Sequence, residues 1–173
     1  MGGTEQEIRG WFIGRIPDGW FTDAPEVVVD DAEILVIGDL PDLKVGGGVG
    51  EEERKGARRS RIESWREESR GQRMRIANEA EGRFRRKVSW GATCGGERRL
   101  FTTAAVPFMT RLRMEERRVL DTLVEAGVAR SRSHALAWCV RLVGENQGEW
   151  IDRLRQALAG VEEVRKEGPV QTV

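Results

Sequence analysis

The stretch Phe108-Met109-Thr110-Arg111-Leu112-Arg113 decides the fold prediction, because it leads directly into two helical patterns. Its side chains alternate with period two between a less polar set and the set formed by Met109, Arg111 and Arg113. Glu115 and Glu116 follow, and the dipole at the N-terminus of a helix favours such carboxylates. The sequence therefore predicts a short strand that leads into a helix.

Two amphipathic helices are predicted after this strand. The first carries an apolar face of Val119, Leu120, Leu123 and Val124, and Gly127 stands where a helix end favours a left-handed residue. Ser131, or alternatively Ser133, is a good N-cap for the second helix. The second helix is expected to end near Gly144, with an apolar stripe of Ala135, Leu136, Cys139, Val140, Leu142 and Val143.

A strand and two helices within fewer than about 40 residues cannot bury their own apolar faces. The lone strand would also be an unpaired edge. Two copies of the chain solve both problems if their strands pair as an antiparallel ribbon and their helices interlock. Such a ribbon fits the DNA major groove, where arginine can bind guanine through two hydrogen bonds. The N-terminus of the second helix would then hold a backbone phosphate.

Residues 108–144 resemble the ribbon-helix-helix domain of the Arc, MetJ and CopG repressors. Three runs carry the resemblance: Thr110-Arg111-Leu112-Arg113, residues 120–128, and most specifically Arg130-Ser131-Arg132-Ser133-His134-Ala135-Leu136. Glu116 and Arg117 depart from it, since that family has an apolar pair in the first turn of the first helix. The whole chain also resembles an uncharacterised actinobacterial family.

The resemblance implies a homodimer bound to double-stranded DNA, and it implies a role for each matching residue. The base readers would be Arg111 and Arg113, with Met109 or Thr110. The phosphate contacts would be Arg130, Ser131, Arg132 and Ser133. The spacing between strand and helix leaves open which face of the strand meets DNA.

Towards the N-terminus, the sequence predicts a small α+β domain. After a disordered start at residues 1–7, apolar runs at 8–16 and 20–21 flank Pro17-Asp18-Gly19 and predict a first hairpin. A second hairpin is predicted over 27–37, and a third over 88–103 around Cys94-Gly95-Gly96-Glu97. Between them, residues 58–86 show helical spacing that Ser69 and Gly71 interrupt.

These patterns divide the chain into five segments of an α+β protein. They are an acidic β-hairpin segment (1–43), a glycine-rich, charged linker (44–57), a basic helix plus β-hairpin (58–106), the ribbon-helix-helix unit (107–145), and a C-terminal amphipathic helix and tail (146–173). The linker makes a poor phosphate loop, because it lacks Gly-Lys-Ser/Thr and is expected to lead into the acidic run Glu51-Glu52-Glu53 instead of a helix N-terminus. The last helix is expected to pack across the dimer or onto Trp138, or to dock another protein.

Charge is distributed unevenly along the 173 residues, although 29 basic and 29 acidic side chains cancel. Residues 1–53 have three basic and thirteen acidic residues, whereas residues 54–90 have thirteen basic and five acidic ones. The arginines of the basic helix either form a solvated face paired with Glu63, Glu67 and Glu79 or bind nucleic acid or a partner. The acidic block either packs on the basic one, where it could compete with DNA, or faces water.

Several classes of function are excluded by composition. One histidine, His134, and two cysteines, Cys94 and Cys139, are too few for a zinc site or a disulfide framework, so no metal or cofactor is expected. No catalytic group of side chains can be assembled, so the protein is not expected to be an enzyme. Cys94 is expected to be an inert turn residue or, alternatively, an exposed thiol. The absence of a long apolar run or a signal peptide predicts a cytoplasmic protein that binds no membrane.

Together these features predict a homodimeric, sequence-specific DNA-binding transcriptional regulator. Its N-terminal domain would be a sensor or would bind a protein partner. The alternative is a protein–protein interaction module, antitoxin-like or a scaffold, in which the ribbon-helix-helix core serves dimerisation.

Overall fold

The computed structural model describes residues 3–44 and 48–167. In chain order the elements are α1 (Glu5–Arg15), β1 (Glu26–Val29), β2 (Glu33–Asp39), α2 (Glu51–Glu68), α3 (Arg70–Phe84), β3 (Lys87–Cys94), β4 (Glu97–Leu100), α4 (Met114–Glu125), α5 (Arg132–Asn146) and α6 (Gly148–Glu167). The described residues thus form an α+β fold, as predicted. They divide into two compact units, Met1–Phe108 and Met109–Val173.

The first unit contains a four-stranded sheet in the order β1-β2-β3-β4. Both outer pairs are antiparallel hairpins, which confirms the hairpins predicted over 27–37 and 88–103. Gly95 and Gly96 have φ angles of 52° and 90°, which a two-residue hairpin turn requires. The central pair is parallel, with Val36 opposite Trp90, and a parallel pair needs a long crossover. Helices α2 and α3 provide this crossover.

The core of the first unit lies between one face of the sheet and the helices. Alternation along β2 and β3 places Ile34, Val36 and Trp90 on the same face. They pack in one cluster with the side chains of α1 and α3, namely Ile8, Phe12, Ile76, Ala80 and Phe84. A second cluster of Leu40, Ile62, Ala92 and Cys94 joins α2 to the end of the sheet.

The predicted first hairpin is wrong, because residues 5–15 form helix α1. A capping box starts the helix: the Thr4 hydroxyl accepts a hydrogen bond from the Glu7 N–H, and the Glu7 carboxylate accepts one from the Thr4 N–H. Ile8 and Phe12, four residues apart, are both fully buried. Burial of this single stripe favours a helix over a strand, and residues 16–25 form only turns and irregular backbone.

The predicted linker is shorter than expected, since α2 already begins at Glu51. The three glutamates at 51–53 form its first turn, where the helix dipole favours negative charge. The Gly50 N–H donates to the Glu53 carboxylate at 3.0 Å. Residues 45–47 of the predicted linker lie outside the described residues. The expected interruption of the basic helix lies at Ser69, between α2 and α3. The Ser69 hydroxyl donates a hydrogen bond to the Trp65 carbonyl oxygen.

Cys94 is neither a turn residue nor an exposed thiol. It ends strand β3 and is fully buried, and burial raises the pKa of its thiol. Such a thiol is poorly nucleophilic, because the thiolate is the reactive form.

In the second unit, three helices lie close to the positions predicted, although α5 continues past Gly144 to Asn146. Gly127 has a φ angle of 74°, the left-handed conformation expected of it. The predicted strand at 108–113 is not present: residues 102–113 belong to neither a helix nor a strand. A strand needs a hydrogen-bonded neighbour, and the described residues of one chain give this segment none. The predicted helix stop at Gly168-Pro169 lies outside the described residues.

None of the helices in residues 3–44 and 48–167 is both long enough and apolar enough to cross a lipid bilayer.

Candidate nucleic-acid interface

Helices α4 and α5 form a hairpin that is closed by a glycine turn. The N–H groups of Val128 and Ala129 both donate to the Leu123 carbonyl oxygen, at 3.0 and 3.1 Å. Gly127 allows the chain to reverse direction here because it can adopt a positive φ angle without steric cost. The turn brings Ala129 against the helices, where it is buried with Leu120 and Ala135. These three residues are the whole buried apolar core that the described part of this unit contains.

At the N-terminus of α5, some backbone N–H groups have hydrogen-bond acceptors and others have none among the described residues. The Ser131 hydroxyl accepts a hydrogen bond from the His134 N–H at 3.2 Å, so Ser131 is the N-cap and Ser133 is not. The Arg130 N–H donates to Nδ1 of His134 at 3.3 Å. Among the described residues, the N–H groups of Arg132 and Ser133 have no acceptor. Two free amides at a helix N-terminus form a favourable site for an anion.

An ion pair joins the two helices of the hairpin. The Arg132 guanidinium donates to both carboxylate oxygens of Asp121 on α4. This contact lowers the pKa of the Asp121 carboxyl. Arg130 and Ser133 remain exposed beside the pair. The four residues predicted to contact phosphate are thus brought together around one helix end, although Arg132 already has an acidic partner.

The segment before α4 is the most exposed part of the interface. The exposed fractions of Phe108 and Met109 are 92% and 100%. Among the described residues, no backbone N–H or carbonyl group of residues 105–111 forms a hydrogen bond. Unsatisfied backbone groups at an exposed segment are available to pair with another strand.

The end of this segment is anchored to α4. The Arg113 N–H donates to the Glu116 carboxylate, and the Arg117 guanidinium donates to the Leu112 carbonyl oxygen at 3.1 Å. The Leu112 side chain packs against the core of the hairpin. Glu116 and Arg117, which depart from the ribbon-helix-helix pattern, therefore fix the junction between the segment and the helix.

The side chains predicted to read bases point away from any partner in the described residues. Arg111 and Arg113 are exposed and form no ion pair or side-chain hydrogen bond there. Met109 and Thr110 are also exposed. Sequence reasoning assigned no structural role to Asp121, Arg117 or His134, which stabilise the hairpin and its flanks. Asp121 and Arg132 are close in sequence, on either side of the turn that joins α4 to α5, and this spacing was the available signal for their ion pair.

The final helix presents an apolar stripe to solvent. Within the described residues, its exposed members are Trp150, Leu154, Leu158, Val161 and Val164. Val140 and Val143 on α5 are also exposed, at 66% and 51%. Exposed apolar stripes of this extent are typical of protein interfaces.

These observations define an α+β protein of two units, in which a helical hairpin follows an unpaired basic segment. Residues 6–100 match the family described as the Rv1265-like protein N-terminal domain, and residues 113–165 match the Mb1296 C-terminal domain family. The chain therefore belongs to the Rv1265-like family. No solved structure matches it.

Similar full-length relatives are mycobacterial. The uncharacterized proteins Mb1296 of Mycobacterium bovis and Rv1265 of Mycobacterium tuberculosis are each 56% identical to the chain over 160 residues. The alignment covers 92% of this chain and 69% of each relative. The predicted resemblance to an actinobacterial family is confirmed.

Proposed function

We propose that this protein is a homodimeric, sequence-specific DNA-binding transcriptional regulator of the ribbon-helix-helix type. The observation that carries the proposal is the run of unpaired backbone at residues 105–111, directly before the α4–α5 hairpin. In the dimer, this segment of each chain pairs with its twin as an antiparallel β-ribbon. The ribbon supplies the backbone hydrogen bonds that one chain leaves unmade.

The position of Leu112 supports a choice between the two faces of the proposed ribbon as the one that would meet DNA. Its side chain packs on the hairpin core. Because strand side chains alternate, Phe108 and Thr110 share the face of Leu112, whereas Met109, Arg111 and Arg113 occupy the opposite face. This arrangement favours Met109 over Thr110 as the third base-reading residue. Arg111 and Arg113 are suited to guanine, whose O6 and N7 atoms can accept two hydrogen bonds from one guanidinium.

The α5 N-terminus serves as the phosphate contact in this proposal. The free N–H groups of Arg132 and Ser133 supply donors, and the exposed side chains of Arg130 and Ser133 add two more groups. Contacts of this kind fix the register of a protein on the duplex without reading its sequence.

Dimerisation is supported by the small core of the second unit. Leu120, Ala129 and Ala135 are too few to stabilise an independent fold, since a small domain depends on the apolar area that it buries. Val119, Val140 and Val143 are exposed in the single chain, and a second hairpin interlocked with the first would cover such residues.

The net charge of residues 107–144 is +3, which is modest for DNA binding. Residues 54–90, which include α3 and all of α2 except its first three glutamates, have thirteen basic and five acidic residues and could add phosphate contacts. The proposal places the protein in the cytoplasm, associated with the nucleoid.

Solution mass and DNA binding test this function together. The full-length chain is expected to have the mass of a dimer and to bind fragments that include its own promoter. Binding is expected to weaken steeply between two salt concentrations, because neutralised phosphates release counterions. A monomeric mass, or equal affinity for all fragments, would contradict the proposal.

The alternative is a protein–protein interaction module built on the same dimer. The observation that favours it is the exposed stripe of α6, which includes Trp150 and Leu158. This function predicts that the protein co-purifies with one defined partner, that it has little DNA affinity, and that the double variant Trp150→Ala/Leu158→Ala loses the partner.

A further inference from the structure

A cleft in the first unit is lined by both cationic and apolar side chains. It lies where α2 and α3 meet the sheet, and its volume is about 440 Å³. Arg66, Arg70 and Arg73 supply its cationic lining, and Met74, Ala77 and Val88 supply much of its apolar lining. The volume falls within the range of small-molecule sites, which combine apolar walls with a few polar groups.

Arg73 is a buried cation that forms no ion pair within residues 3–44 and 48–167. Its side chain is 8% exposed; Nε donates to the Ser69 hydroxyl at 2.9 Å, and Nη2 donates to the Arg66 carbonyl oxygen at 2.7 Å. The guanidinium also lies 4.9 Å from the centre of the Phe101 ring. Within the described residues, Nη1 has no acceptor, and no carboxylate contacts the group. Burial of a charge without an opposite charge is costly, and here it lowers the pKa of Arg73.

The two neighbouring arginines are themselves cationic, so they cannot neutralise the charge of Arg73. Arg66 and Arg70 also line the cleft, and neither forms an ion pair in the described residues. Two glutamates predicted as their partners are engaged elsewhere: Glu63 pairs with Arg99, and Glu79 pairs with Arg15. Glu67 is the one acidic residue that lines the cleft. Three guanidinium groups and one carboxylate give the lining of the cleft a positive charge.

Trp90 also lines the cleft, and most of its side chain belongs to the buried core. Its indole Nε1 is buried and has no hydrogen-bond acceptor among the described residues. Buried donors of this kind are rare in proteins, and the described part of the first unit has two others, on Trp65 and Arg86.

We propose that this cleft binds a small organic anion, in which a phosphate or carboxylate group is attached to a compact apolar body. Arg66, Arg70 and Arg73 hold the anionic group through charge-assisted hydrogen bonds. Met74, Ala77 and Val88 contact the apolar body. The proposal concerns the first unit and does not depend on DNA binding by the second.

Binding of simple probes to the full-length chain tests the proposal without DNA. The probes are phenyl phosphate, benzoate, inorganic phosphate and phenol, and binding is measured by calorimetry and by tryptophan fluorescence. Phenyl phosphate or benzoate is expected to bind saturably, and the stronger of the two identifies the preferred anionic group. Inorganic phosphate and phenol are expected to bind at least about tenfold more weakly, since each has only half of the required features.

The variant Arg66→Gln/Arg70→Gln tests whether anion binding requires the arginines of the cleft or only positive charge on the protein surface. Both side chains are exposed, so the fold is expected to survive, and affinity for the aromatic anion is expected to fall at least about tenfold. The control is Arg75→Gln on α3, which removes an exposed arginine outside the cleft and is expected to leave affinity unchanged. Equal binding by the double variant, equal binding of inorganic phosphate, or no saturable binding of either aromatic anion would overturn the proposal.

Discussion

Arg132 on α5 holds Asp121 on α4 through two parallel hydrogen bonds: Nε donates to Oδ1 at 2.6 Å, and Nη2 donates to Oδ2 at 3.0 Å. The planar guanidinium matches the carboxylate, so the pair orients the start of α5 against α4. Arg132 is also one of the proposed phosphate contacts. In the proposed complex, Asp121 would therefore compete with DNA for this guanidinium.

Replacement of Asp121 by asparagine is expected to strengthen the dependence of DNA binding on salt. The substitution releases Arg132, which can then neutralise one more phosphate in each chain. The plot of log affinity against log salt is expected to become steeper by about 0.9 for each added contact. Fluorescence anisotropy with a labelled promoter fragment measures this slope. Glu125→Gln is the control, because Glu125 is exposed on the same helix. Equal slopes for the two variants would show that Arg132 does not contact phosphate.

Asp42 is expected to contribute to acid sensitivity. Its carboxylate accepts hydrogen bonds from Arg58 Nε and Nη2 at 3.0 and 2.7 Å, and Arg58 lowers its pKa from 3.8 to about 2. Because the folded-state pKa is the lower one, the stabilisation is complete well above pH 3.8 and is lost as the pH falls towards about 2.

Thermal unfolding measured from neutral pH down to about pH 2 tests this contribution. Asp42→Asn is expected to reduce the melting temperature at neutral pH and to flatten its decline in acid. Asp31→Asn, an exposed change in the turn between β1 and β2, is the control. An unaltered acid decline in Asp42→Asn would refute the role of the Asp42–Arg58 pair.

Gly127→Ala is expected to destabilise the helical hairpin through its backbone alone. A Cβ atom at this position would meet no atom within 4 Å, so the cost comes from the φ angle of 74°. A left-handed conformation costs an alanine about 1–2 kcal/mol. Urea unfolding measures the loss, and Gly127→Asn is expected to lose less because asparagine tolerates this conformation. If both variants matched the wild type, the turn would not depend on glycine.

Thr110→Pro is expected to prevent formation of the proposed dimer. Proline removes a backbone N–H from the segment that would pair in the ribbon and cannot donate to a strand. Thr110→Ala removes the same side chain but keeps the N–H, so it is expected to remain dimeric. Light scattering after size-exclusion chromatography gives both masses. A dimeric proline variant would indicate that the chains associate elsewhere, for example through α6.

Local signals in the sequence accounted for much of the fold. The β1–β2 and β3–β4 hairpins could be predicted because their sequence signals are local. These signals are the β-branched runs of β1 and β2 and the paired glycines between β3 and β4. Helix α1 was missed because Trp11, Phe12 and the Asp18-Gly19 turn suggested a hairpin. Thr4 and Glu7 carried the capping-box signal that would have identified the helix.

Non-local features could not be predicted from one sequence. The parallel pairing of β2 with β3 joins residues more than forty positions apart, and no turn motif encodes it. The burial of Arg73 depends on Trp65 and Phe101, which approach it from different elements. The predicted ribbon is a further case, since its partner is a second molecule. Only the exposed, unpaired backbone that would form it belongs to the single chain.

Sequence preference in the double variant Arg111→Ala/Arg113→Ala tests the central claim most directly. The ratio of affinities for a promoter fragment and for random-sequence DNA is expected to fall at least about tenfold, since each arginine–guanine pair contributes about 1–3 kcal/mol to discrimination. Arg118→Ala/Arg141→Ala removes the same charge from two exposed helical positions and is expected to keep the ratio. An unchanged ratio in Arg111→Ala/Arg113→Ala would mean that the segment does not read DNA.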